Sequence, residues 1–231
     1  IHKDAQLLAL NKPSGISSQG GRIDVNTLDE LLAAFAKSSG SRPRLVHRLD
    51  RDTSGVLLAA RSQPAAAYLG KAMMARRVRK TYLAIVGGGA PDPRQGIVRA
   101  ALRREDIGRD SRVLVAPDDH PEAKAAETTY RTLAAGEAAA LLELEPRTGR
   151  MHQIRVHLAH IGRPILGDAR YGGALAIEGE AVARLMLHAR ALVFPHPEGG
   201  APTRIEAPPP IDFRALATRL GLAAPLDLES V

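Results

Sequence analysis

Apolar residues in this chain fall into short runs punctuated by glycine, proline and polar turns, a spacing that predicts more strands than helices. Ala5–Leu10 predicts a buried strand, and Lys12-Pro13-Ser14-Gly15 then turns the chain. Further strands are expected at Gly55–Ala60, Thr81–Val86, Arg112–Ala116, Glu127–Leu133, Ala139–Leu144, Leu187–Phe194 and Thr203–Glu206. Ala135-Gly136 joins two of them as a hairpin. Gly87-Gly88-Gly89 precedes Ala90-Pro91 and reads as a turn rather than a phosphate cradle.

Helical spacing appears in four places. Asn26 with Asp29 marks a helix start, followed by Leu28, Leu31, Leu32 and Phe35. Ser62 caps a helix running to about Arg77, with Ala66, Leu69 and Met73 on one face. Met151, Ile154, Leu158 and Ile161 form one face of a helix that stops at Gly162 and Pro164. A terminal helix is expected over 211–221, after Pro208-Pro209-Pro210. Strands that mostly follow one another directly predict an α+β fold with a large, mainly antiparallel mixed sheet flanked by helices and loops. Residues 1–231 read as a single domain without internal repeats, long enough to bury a core without disulfides.

Composition narrows the function. Cys is zero, which excludes disulfide scaffolds, thiolate zinc sites and Cys nucleophiles and points to a reducing compartment, the cytoplasm. No apolar run approaches the ~18 residues of a membrane span, and no secretory signal pattern is present. The formal net charge is +7, and 26 of the 32 basic residues are Arg, whose planar fork suits phosphate and base edges. That charge points to an RNA or DNA partner, with codon bias in an Ala-rich chain as the alternative. Aromatics at 3% leave room for one or two placed rings, not for an extended stacking surface.

Three clusters carry candidate chemistry. His47-Arg48-Leu49-Asp50-Arg51-Asp52-Thr53-Ser54-Gly55 packs two carboxylates, two hydroxyls, an imidazole and two guanidiniums between apolar strands. Arg147-Thr148-Gly149-Arg150-Met151-His152-Gln153-Ile154-Arg155 opens a helix and suits a phosphate; a solvated basic face is the alternative. Lys80-Thr81-Tyr82-Leu83-Ala84-Ile85-Val86 places Tyr82 on a strand, either as a core ring or as a stacking platform. His152, His157, His160 and Asp168 raise a metal-assisted phosphoesterase as a rival. The first two are five apart and share no helical face, so no metal is expected. There is no P-loop, no dinucleotide fingerprint and no nucleophile elbow.

Taken together, these clusters resemble the RluA-type family of pseudouridine synthases, in its bacterial large-subunit ribosomal RNA branch. The resembling blocks are KPSG at Lys12–Gly15, VHRLDRDTSGVLL at Val46–Leu58 and KTYLAIV at Lys80–Val86. RTGRMHQIRVHLAHIGRPILGDARYGG at Arg147–Gly173 and LMLHARALVFPHP at Leu185–Pro197 complete the order. The resemblance implies one catalytic domain that isomerises uridine to pseudouridine in structured RNA, ribosomal first and transfer RNA second. It implies no cofactor. An S4-type RNA-binding domain, carried by many relatives, is not read in these residues, and the enzyme is expected to be a monomer.

By the same resemblance Asp50 is the nucleophile, Arg155 its basic partner and Tyr82 the ring that stacks on the extruded base. Leu187 is the apolar wall, and Arg48 fills or braces the vacated space. Arg147, Arg150 and Gln153 are candidate RNA contacts, and the segment Asp92–Lys124 is suspected in substrate choice. A non-catalytic RNA-binding protein on the same fold is the alternative function.

Overall fold

The computed structural model describes residues 1–20, 27–36, 41–107 and 110–223. It shows an α+β chain with a large, mainly antiparallel mixed sheet flanked by helices, as expected. Its residues gather into two compact units. One comprises Ile1–Lys80 with His188–Pro209, the other Thr81–Leu187 with the segment from Pro210 onward.

In the first unit, β1 (His2–Lys3) pairs antiparallel with β2 (Leu7–Lys12), which pairs antiparallel with β4 (Ser54–Ala60). Between them lie α1 (Leu28–Leu31), a 3-10 turn at Leu32–Phe35, and β3 (Arg44–Leu45) against β4. Helix α2 (Gln63–Met74) precedes β5 (Arg79–Gly87). All of β4 is buried because both of its faces are covered. Leu7, Ala9, Val56, Leu58 and Ala60 pack with Ala65 and Leu69 of α2. Leu8 and Ala59 point the other way and pack with Leu32. Two buried faces explain an apolar run without alternation.

Ser62 caps α2 by accepting from the Ala65 amide. The buried stripe is Ala65, Leu69 and Ala72, one residue displaced from the expected face. The first helix departs further. Its cap is Thr27, in a reciprocal capping box with Glu30, while Asn26 lies outside the described residues. One α turn then tightens to 3-10 geometry, and the buried stripe is narrower than expected. Leu28 and Leu32 are buried, but Leu31 and Phe35 are 52% and 42% exposed.

In the second unit β5 pairs antiparallel with β10 (Ala139–Pro146), β10 with β9 (Glu127–Ala135), and β9 with β6 (Gln95–Arg99). The β9–β10 hairpin is the expected one. A separate hairpin, β7 (Leu102–Ile107) with β8 (Asp110–Val115), has its own apolar cluster of Leu102, Val113, Val156 and Tyr171. Then come α3 (Gln153–His160) and the short pair β11 (Ala176–Ile177) and β12 (Glu180–Ala181). Helix α3 is not amphipathic: Gln153 through Leu158 are all buried, and its polar members are buried because each is hydrogen-bonded.

Strand β13 (Leu187–Pro195) pairs antiparallel with β14 (Pro202–Glu206), and α4 (Ile211–Arg219) follows. From His188 onward β13 belongs to the first unit, where it pairs parallel with β4 at His188↔Ser54 and Ala189↔Gly55. No described helix is long and apolar enough to cross a membrane.

The parallel contact is tight at one point. Gly55 has φ +118°, and a Cβ there would lie 2.1 Å from the Ala189 carbonyl oxygen. Gly55→Ala is therefore expected to cost about 4 kcal/mol, through strain and displaced backbone. Urea unfolding checks this; a variant within about 1 kcal/mol of wild type contradicts the tight joint.

Candidate active site

Asp50 sits in the loop entering β4, half-buried, and that loop is fastened on both sides within the first unit. Ser18 Oγ donates to the Leu49 carbonyl at 2.7 Å and accepts the Leu49 amide at 3.1 Å. Lys12, 1% exposed, donates from Nζ to the carbonyls of Pro13, Ile16 and Arg51, each at 2.8 Å. The Arg51 carbonyl also accepts the Gly15 amide, and Arg51 Nε donates to the Gly15 carbonyl. Ser14 Oγ donates to the Asp52 carbonyl at 2.7 Å. The KPSG turn is thus a brace for the HRLD loop, and its buried ammonium pins three backbone oxygens of both segments.

The ends of the loop are fixed as well. Thr53 donates its amide to the Asp50 carbonyl, and Thr53 and Ser54 are buried. His188 Nε2 donates to the Ala207 carbonyl at 3.0 Å, which leaves Nδ1 to accept from Ser54 Oγ at 3.0 Å. His47 Nε2 accepts the Leu58 amide at 3.0 Å. Burial, then the nearby Lys80 ammonium, pushes the His47 imidazole down to about 3. Arg48 is exposed.

In the second unit Tyr82 lies on β5 opposite Leu144 of β10 and is 9% exposed. Arg155 is on α3, 7% exposed. Its Nε and one terminal nitrogen grip the Asp168 carboxylate at 2.8 and 2.7 Å, a bidentate pair with both partners buried. Asp168 accepts the Arg170 and Tyr171 amides too, so it shapes the loop that holds it. Leu187 is buried at 3% exposure, at the start of β13.

Arg147 and Arg150 are exposed before α3. Gln153 is not available to RNA. It is 4% exposed; its Oε1 accepts from Thr148 Oγ1 and the Arg150 amide, and its Nε2 donates to the Glu127 carbonyl and Thr128 Oγ1. All four of its hydrogen-bonding positions are spent tying the Arg147–Arg150 loop to β9.

The geometry gives no support to a metal reading of this region. His157 Nε2 donates to the Ala100 carbonyl while its Nδ1 accepts from Thr128 Oγ1, and burial lowers its imidazole below the ordinary range. Asp168 is held by Arg155. Two of the four metal candidates are thus occupied, and no three His, Asp or Glu side chains converge among the described residues.

Comparison with known proteins decides the class. The family model described as RNA pseudouridylate synthase matches residues 6–160. The chain belongs to the RNA pseudouridylate synthase family. It is 35% identical over 224 residues to the ribosomal large subunit pseudouridine synthase C of Buchnera aphidicola subsp. Acyrthosiphon pisum, covering 93% of this chain and 68% of that protein. It is 34% identical over 236 residues to the tRNA pseudouridine synthase C of Pectobacterium carotovorum, covering 96% of this chain and 61% of that one. The chain thus spans about two thirds of the length of these relatives. Among solved structures, human RNA pseudouridylate synthase domain containing 4 superposes with a TM-score of 0.79 at 28% identity, over 95% of this chain and 92% of the other. As a member of this family, the chain is a pseudouridine synthase, an isomerase.

The sequence pattern marks Asp50, Tyr82 and Arg155 but not what holds them. Lys12 reads only as part of a turn, Asp168 only as a metal candidate, and Tyr171 carries no signal of its own. The glycines around Asp168 in ILGDARYGG are the available sign of a constrained loop.

Two outcomes test these supports. Lys12→Met leaves three backbone carbonyls without their cation and is expected to cost about 3 kcal/mol. Turnover should fall further than the folded fraction in urea titrations; turnover that tracks folding alone would contradict the brace. His47, lowered in the folded state, makes protonation favour unfolding. Its contribution to stability is full above the ordinary histidine value and is lost as pH falls from about 6.5 toward 3. Unfolding at pH 7 and pH 5 should show a steeper loss for wild type than for His47→Asn. Equal slopes would contradict this.

Proposed function

We propose that this pseudouridine synthase isomerises uridines of structured RNA, bacterial 23S ribosomal RNA foremost, with Asp50 as nucleophile. The observation that carries the reading is the fastening of the Asp50 loop by Lys12, Ser14 and Ser18 within a family-matched segment. A reacting carboxylate needs such pre-organisation, because small displacements cost large factors in rate.

The chemistry balances without a second reactant. The bond between uracil N1 and ribose C1′ breaks, the base turns, C5 bonds to C1′, the C5 proton leaves and N1 takes one up. No water adds, so one carboxylate suffices where glycosidases normally use two. The Asp50 carboxylate engages the substrate. Arg155 supplies positive charge that favours an anion, in the single orientation set by Asp168. Tyr82 stacks on the uracil, and Leu187 gives the base an apolar wall. The target is drawn out of its stack, and Arg48 braces the space it leaves. Arg147 and Arg150, exposed beside α3, contact phosphate, while Gln153 holds their loop.

Named relatives include both ribosomal and transfer RNA enzymes. The ribosomal preference rests on the motif resemblance, with transfer RNA as the second substrate. The β7–β8 hairpin lies in the segment we assign to substrate choice. We place the protein in the cytoplasm, acting as a monomer; the lack of Cys supports the compartment.

The test is Asp50→Asn, assayed by chemical mapping of pseudouridine in ribosomal RNA. Loss of at least about a thousandfold in turnover is expected, with RNA affinity kept within a few-fold. Turnover near wild type would remove Asp50 from the nucleophile role. Wild-type RNA binding without modification would favour the non-catalytic RNA-binding alternative.

A further inference from the structure

Tyr171 takes no part in the chemistry above, yet it touches more of the Arg155 surroundings than any role in packing requires. It is 8% exposed and belongs to the loop that begins at Asp168. The Arg155 guanidinium carbon lies 5.0 Å from its ring centroid, and that of Arg112, from β8, lies 5.6 Å from it. Both distances fall within cation–π range. His152 meets the same ring edge-on, with centroids 5.6 Å apart and planes at 76°.

The hydroxyl is engaged as fully as the ring. It accepts the Val113 amide of β8 at 3.2 Å. Its own hydrogen needs an acceptor, and His152 Nδ1 lies 2.8 Å away. Burial raises the phenol above its ordinary value, so it remains a donor at neutral pH. The contact ties the His152 ring to the Tyr171 hydroxyl at the entry of α3.

His152 is also the N-terminal cap of α3 and holds φ +53° and ψ 17°, a left-handed conformation that a residue other than glycine adopts at a cost. Such strain persists only where the surroundings enforce it, and the Tyr171 hydroxyl is one enforcing contact. Three residues later on the same helix comes Arg155.

The remaining contacts run to the hairpin. Arg112 donates to the Arg170 carbonyl at 2.7 Å, and Arg170 donates to the Ser111 carbonyl at 2.7 Å. Together with the Val113 amide, these bonds dock β8 onto the Asp168–Tyr171 loop. On β7 Arg103 and Arg104 pair with Glu105 and Asp106, while Arg112 on β8 reaches solvent and meets the same buried ring as Arg155.

We propose that Tyr171 is a positioning residue for the isomerisation: it aligns Arg155 through its ring and the entry of α3 through its hydroxyl, and ties both to the β7–β8 hairpin. The proposal rests on the reading that Arg155 acts in that reaction.

The test separates alignment from folding. Turnover on ribosomal RNA, thermal unfolding and ¹⁵N-histidine spectra are compared for wild type, Tyr171→Phe, Tyr171→Leu, and each change combined with Arg155→Lys. Tyr171→Phe keeps the ring and loses the hydroxyl. It is expected to lower kcat about tenfold with KM changed less than about twofold, and the His152 ring nitrogen signals should shift. Tyr171→Leu should lower kcat about a hundredfold. On the Arg155→Lys background that further loss should shrink to less than about threefold, because the two side chains act as a unit.

Rate losses that merely follow the unfolded fraction, or that multiply in full on Arg155→Lys, would overturn the proposal. So would an unchanged His152 spectrum in Tyr171→Phe. A wild-type protein without turnover would instead overturn the functional reading, while the imidazole spectrum still reports the hydroxyl contact.

Discussion

The buried ammonium of Lys12 is the constraint on which the Asp50 loop depends. Its donors end on the carbonyls of Pro13, Ile16 and Arg51, so the turn after β2 and the loop before β4 share one cation. A desolvated charge is expensive, and three oxygens at 2.8 Å help to offset the cost here. The arrangement is consequently intolerant. Neither segment can shift without leaving the charge under-coordinated. That intolerance suits a loop whose carboxylate must be held in place, and it explains why Ser14, Ser18 and Gly15 add bonds along the same two segments.

The second unit solves a similar problem with an ion pair. Arg155 and Asp168 are buried together, and their fork geometry uses both carboxylate oxygens. Such a pair contributes little net stability, but removing one partner costs about 3–5 kcal/mol, so it specifies geometry more than it strengthens the fold. The buried polar residues of α3 follow the same rule. Gln153 and His157 are satisfied inside the chain, at Glu127, Thr128, Thr148 and Ala100. The helix N-terminus is thereby fastened to β9 by side chains that resemble a solvated face in sequence.

Much of the fold is legible in the sequence because apolar runs in a sheet covered on both sides leave a direct trace. β4, β5, β10 and β13 each contain their expected strand. The elements that leave no such trace do so for physical reasons. β7 reads Leu-Arg-Arg-Glu-Asp-Ile, and its outward polar residues dilute the apolar signal; β6 is short, and three of its five residues are exposed. α3 differs from the amphipathic helix its spacing suggests because its polar burial is satisfied by hydrogen bonds instead of hydrophobicity. The site is legible as motifs, since Asp50, Tyr82 and Arg155 stand in ordered blocks. Their supports are not, because Lys12 with Arg51, Arg155 with Asp168, and Tyr171 with Val113 are pairings between separate segments that no local pattern reveals.

The central claim is that this chain isomerises uridine in RNA. Release of tritium to water from RNA labelled at uracil C5 tests it most directly, because forming the C5–C1′ bond expels that hydrogen. Ribosomal and transfer RNA lacking modifications would be supplied in separate reactions with EDTA present. Release from ribosomal RNA, in step with pseudouridine formed, is the predicted result. Binding of both RNAs with no tritium released from either would contradict the claim.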